Sequence, residues 1–66
     1  MKNAGLTKAI EVAGSMRKLA HMLDLHHHAV QQWVRARVPA DRIVEIERIT
    51  GVPREELRPD LYRRKL

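Results

Sequence analysis

Between Ser15 and Val34, in the stretch SMRKLAHMLDLHHHAVQQWV, two short apolar patterns face each other across a three-residue break. Leu19, Ala20 and Leu23 stand at i, i+1 and i+4, which places them on one helix face, and Ser15 precedes them as an N-cap residue. Asp24, Leu25 and His26 interrupt the pattern. Val30, Trp33 and Val34 resume it as the buried stripe of a second helix, about His27 to Ala36. Two helices joined by so short a break must cross closely. The crossing needs a small residue in the first helix, and Ala20 supplies it. Four positions later it needs a residue that tolerates left-handed backbone; Asp24 does so, at some cost relative to Gly. Leu25 is the apolar residue after the turn, and Val30 and Trp33, three apart, anchor the second helix. These spacings describe a helix-turn-helix.

The remaining segments also have helical spacing. Thr7 can cap a first helix through about Ala13, with Leu6, Ile10 and Ala13 on one face and Gly14 as its stop. The second helix runs Met16 to Leu23. Pro39 suits the first turn of a fourth helix, in which Ile43, Ile46 and Ile49 recur every third residue and which Gly51 ends. Within it, Val44 and Ile46 alternate with Glu45 and Glu47, as a strand would read. The helix is preferred, because Arg48 breaks the alternation while the three-residue spacing continues. Pro53 with Glu55 and Glu56 predicts one more helical turn, ended near Pro59. The chain is thus expected to be all-α, a small bundle of four to five helices. It is read as a single domain over residues 1–66, with the motif at 15–36 and a flexible basic tail at 62–66.

Sixty-six residues leave room for one core and none for a deep catalytic cleft. The formal charge of +5 favours a polyanionic partner. There is no Cys, which removes disulfides, thiolate zinc sites and a Cys nucleophile. No apolar run has the length of a membrane span and Met1–Leu6 holds no signal-peptide core, so the chain is read as soluble and cytosolic. An enzyme is disfavoured: His, Asp and Glu occur without a nucleophile, a metal pair or a glycine-rich phosphate loop. Membrane-surface binding is disfavoured because the basic residues do not share one long helix with a large apolar face. No cofactor is expected.

A helix-turn-helix with this charge points to DNA, with its second helix in the major groove. If His26 caps that helix, the outward positions are His27, His28, Gln31, Gln32 and Arg35, the expected base contacts. Gln can donate to and accept from adenine, Arg can pair with guanine, and His can donate to guanine N7 or O6. Arg17, Lys18, His26, Arg37 and Arg42 flank these positions and are the expected phosphate contacts, which orient a protein without reading sequence.

Other residues have structural explanations. Trp33 could stack on a base, but its spacing from Val30 makes it core. Arg63, Arg64 and Lys65 read as a solvated tail, and Glu45, Glu47 and Arg48 as an exposed helix face. Asp41 and Arg42 can cap and pair at the fourth helix, and Arg58 with Asp60 can tie the C-terminal turn to the body. The run His26-His27-His28 invites a metal site. On a helix, however, three consecutive side chains fan over about 200° and cannot share one ion. The i, i+4 spacing of a helical zinc pair is also absent, so no metal site is expected. Protonation of these histidines below about pH 6.5 is expected to strengthen binding to a polyanion.

The segments AIEVAG (Ala9–Gly14), LDLHHHAVQQWV (Leu23–Val34), RVPADRIVEIERITGV (Arg37–Val52) and EELRPDLY (Glu55–Tyr62) resemble the small Cro-type regulators of phages and prophages. The similarity is strongest to the YdaS-like family of prophage DNA-binding, antitoxin-type proteins. Its most specific pieces are the QWV-x-x-x-VPA-x-R junction and the ELRPDLY ending. The resemblance implies a lambda repressor-like, all-helical domain that binds operator DNA as a homodimer and represses transcription in a bacterial host, associated with the nucleoid. It also implies an alternative role, an antitoxin-type module that neutralises a partner toxin and autoregulates its promoter. That family usually carries Gln where this chain has Met16, Ser where it has His26, and often Gln at His27 and His28. The histidines therefore imply a different base preference. Self-association is expected through the fourth helix and Glu55–Tyr62, whose Val52, Leu57, Leu61 and Tyr62 read as surplus apolar residues, and it could form only on DNA.

Overall fold

A computed structural model describes residues 4–62. Helix α1 spans Ala4–Ala13, α2 Met16–Met22 and α3 His27–Arg35. A 3₁₀ turn at Ala40–Arg42 then leads into α4, Ile43–Thr50, and α5 is the short Arg54–Leu57. All the regular elements among the described residues are helical, so the strand alternative for Ile43–Glu47 is not taken. No helix among the described residues is long and apolar enough to cross a membrane.

Each helix boundary has a local cause. The Ser15 Oγ accepts from the Lys18 N–H at 3.1 Å and starts α2. At its other end Asp24 takes φ 61°, so the chain reverses in the left-handed region. The Asp24 N–H then donates to the His21 carbonyl at 3.0 Å and the Leu25 N–H to the Ala20 carbonyl at 2.8 Å. These two bonds make a Schellman ending, which satisfies α2's last carbonyls and fixes the direction in which α3 departs. Gly51, at φ 80°, ends α4, and Thr50 helps, its Oγ1 donating to the Ile46 carbonyl at 2.7 Å and accepting from the Val52 N–H at 3.2 Å.

The core consists of Leu6, Ala9, Leu19, Ala20, Leu23, Val30, Trp33, Val38, Ile43, Ile46, Val52 and Leu57. It contains the buried face of each α-helix: α3 packs on α2, α2 on α1, and α4 and α5 pack on α1 and on each other. Val30 and Trp33 anchor α3 as their spacing predicts, and Trp33 is core.

Several sequence expectations need correction. α1 already includes Ala4, so Thr7 lies exposed inside the helix and not at its N-cap. Gly5 sits in the buried face of α1, and a Cβ there would collide with the Glu56 carbonyl and approach the Leu57 nitrogen to 2.7 Å. α1 and α5 thus touch backbone to backbone at Gly5. Val34 is not buried: it is 48% exposed, because α3 turns Val30 and Trp33 inward and the third residue of the set falls outside the contact. Val52 and Leu57 are core residues, not surplus surface; of the four apolar residues expected there, Leu61 is exposed and Tyr62 is half-buried. Tyr62 packs against the core with the Arg54 guanidinium 5.6 Å from its ring centre, while the tail at 63–66 lies outside the described residues. Glu47 does not belong to a free face either. It is half-buried and accepts from Arg54 Nε at 2.9 Å, joining α4 to α5.

The C-terminal turn is tied down as expected, and more firmly. Arg58 donates to both oxygens of Asp60, at 2.9 and 2.7 Å, and also to the Val38 carbonyl at 2.6 Å. Lys8 and Glu56 pair at 2.9 Å across α1 and α5.

Candidate nucleic-acid interface

α3 starts at His27 because His26, in extended backbone at φ −74°, ψ 148°, turns its ring back over the helix end. His26 Nδ1 accepts from the His28 N–H at 3.2 Å. The bond requires an unprotonated Nδ1, so neutral His26 carries its proton on Nε2. This is the cap that the sequence predicts, made by imidazole in place of hydroxyl.

Two shallow grooves flank this helix. One, of about 170 Å³, is lined by His28, Gln31, Gln32 and Arg35. These are four of the five expected base-contact residues, and all four are exposed. Among the described residues, no hydrogen bond or ion pair engages the side chains of Gln31, Gln32 or Arg35. The other groove, of about 490 Å³, is lined by Arg17, Lys18, His21, Leu25, His26 and His27. It gathers three of the expected phosphate-contact residues with His27 and adds His21, which the sequence reading passed over. The signal was present: His21 follows Arg17 by four residues and so shares its face of α2.

The remaining cations are partly engaged. Arg42 pairs with Glu45 at 3.1 Å, so it serves α4 as well as any ligand. Arg37 is exposed and lies 3.4 Å from Asp60, a long and weak contact beside the Arg58 pair. Asp60 is thereby shared by two guanidinium groups. The hydrogen bond from Arg58 lowers its pKa to about 2, with the charges of Arg58 and Arg37 acting in the same direction.

His27 is half-buried between the two helices. Partial burial pushes its pKa below the ordinary imidazole value, and the positive charge of Arg17 and the adjoining imidazoles add to the shift. The shift favours the neutral imidazole, so the share of His27 in any acid-enhanced binding moves to lower pH.

The fan expected for the three histidines does not occur. His26 precedes the helix, and its capping geometry brings its ring against the other two. The three ring centres are 4.4–4.6 Å apart, and one nitrogen from each ring lies within 4.8 Å of the others. The geometric objection to a shared ion is removed.

Among solved structures, the chain is similar to the "Cro protein from putative prophage element Xfaso 1 in Xylella fastidiosa strain Ann-1". The two are 41% identical with a TM-score of 0.81, over 88% of this chain and 94% of that one. The small all-helical domain thus has the fold of that Cro protein. No curated protein matches the chain. The family described as bacterial toxin YdaS matches residues 6–66, so the chain belongs to the YdaS family.

Proposed function

We propose that this protein is a sequence-specific DNA-binding repressor of the Cro type, reading operator DNA with α3 in the major groove. The observation that carries the proposal is the outward face of α3. Gln31, Gln32 and Arg35 stand exposed on a helix clamped by Val30 and Trp33, and their donors and acceptors are uncommitted among the described residues. Base edges can satisfy them: glutamine matches adenine, and arginine matches guanine or a phosphate. His27 and His28 lie one turn earlier at the tip. Arg17, Lys18, His26 and Arg37 hold the phosphate backbone on either side, and Arg42 adds charge while remaining paired with Glu45.

The chain acts as one unit and binds as a homodimer, with half-sites about one helical turn apart, ~34 Å. Val44 of α4 and Leu61 are the exposed apolar side chains of the segments assigned to self-association. The similarity to a Cro protein supports the repressor reading. The family's description names a toxin and supports a second one, in which the chain works in a toxin–antitoxin pair, holds a partner protein and regulates its own promoter.

The test is a mobility shift on the DNA flanking the gene, with wild type and with Gln32→Ala combined with Arg35→Ala. Specific binding is expected to disappear in the double variant while weak nonspecific binding remains. Specific binding that survives would overturn the groove assignment.

A further inference from the structure

The geometry points to a site for one divalent transition-metal ion at His26, His27 and His28, whose occupancy removes the cap of α3. Three adjacent imidazoles present one nitrogen each within 4.8 Å of one another. An ion bound at about 2.1 Å from each nitrogen spans at most ~4.2 Å between ligands, so small side-chain rotations close the set. His26 and His28 are exposed, and the one hydrogen bond given for the His26 ring is the cap itself. Imidazole-only donors select ions such as Zn²⁺, Ni²⁺ or Cu²⁺ over Mg²⁺ or Ca²⁺, with the other coordination positions left to water.

The coupling follows from the single lone pair of a neutral imidazole. His26 now gives that pair, on Nδ1, to the His28 N–H at 3.2 Å. If the ion binds Nδ1, the pair is taken directly. If it binds Nε2, the proton there must leave, and the ring regains neutrality by taking a proton from water onto Nδ1. Nδ1 then becomes a donor facing another donor. Both routes form one metal–nitrogen bond, move no electrons and end the hydrogen bond to His28. Two features oppose the ion: the positive charge of Arg17 beside His27, and the positive end of α3. Affinity is therefore expected in the micromolar range, and Arg17→Ala should tighten it.

The test uses the full chain without an affinity tag, stripped with chelator and titrated with Zn²⁺ by calorimetry and amide NMR. Mg²⁺ serves as the control. The expected result is one Zn²⁺ per chain, with the His28 amide shifting and exchanging faster as zinc binds. His26→Ser separates ligand from cap, because a serine hydroxyl still accepts from the helix N–H. It should keep the fold and weaken zinc binding by about tenfold or more, as should His28→Gln. His21→Ala should leave binding unchanged. Zinc affinity retained in His26→Ser or lost in His21→Ala, more than one ion per chain, or binding that leaves the His28 amide untouched would each overturn the inference. None of these readouts depends on DNA, so the result stands apart from the repressor assignment.

Discussion

Arg58 grips both carboxylate oxygens of Asp60, at 2.9 and 2.7 Å, while its remaining nitrogen donates to the carbonyl of Val38. One guanidinium therefore joins the C-terminal turn to Val38, in the segment that follows α3. The planar fork is essential to this, because an ammonium cannot serve three oxygens in one plane. Arg58→Lys is expected to lower the Tm by several degrees, nearly as much as Arg58→Ala. A melt of Arg58→Lys that matches wild type would show that charge alone suffices.

The same pair sets a pH dependence. Asp60 has its folded pKa depressed from 3.8 to about 2. A group depressed in this way contributes stability above its unfolded pKa and loses it as pH falls through the folded one. The Tm difference between wild type and Asp60→Asn should be full above about pH 4 and should vanish towards pH 2. A difference that stays constant across this window would contradict the assignment.

Gly5→Ala offers a test of opposite signs. Helix propensity alone predicts a gain of about 1 kcal/mol for this change inside α1. The added Cβ meets the Glu56 carbonyl, which is backbone and cannot swing away. A net loss on the order of 1–3 kcal/mol in denaturant unfolding is expected.

Asp24 stands at φ 61° where glycine carries no strain. Asp24→Gly should be neutral or stabilising by up to roughly 1 kcal/mol, and Asp24→Val should be destabilising by more than that. His26→Ala should cost about 1 kcal/mol through loss of the cap, and His26→Ser should restore it. Urea unfolding of the four variants checks both boundaries of the turn.

The parts of the fold that rest on neighbours in sequence were legible in it. Ser15 caps three residues ahead, Asp24 and Leu25 close a turn on residues three and five behind, and Val30 and Trp33 share a face by spacing. Contacts between distant segments left no local trace. Gly5 meets Glu56, Glu47 meets Arg54 and Arg58 meets Val38 only after the chain has folded back, and no periodicity records those meetings. For this reason Val52 and Leu57 looked like surplus surface although they close the core. The candidate site divides the same way. Its outward residues on α3 follow from the helical repeat, and so do Arg17 and Lys18. The clustering of the histidine rings was not legible, because the 100° step per residue applies to helical residues, and His26 is not one.

On the proposed function, α3 reads DNA. The most direct measurement is a mobility shift of the wild-type chain on the DNA flanking its gene, against a scrambled duplex, at ~50 mM salt and again at higher salt. Binding to both duplexes at low salt, with the native sequence alone retained as salt rises, is the predicted result. Failure to shift either duplex at ~50 mM salt, where electrostatic binding by a chain of charge +5 should already appear, would contradict it.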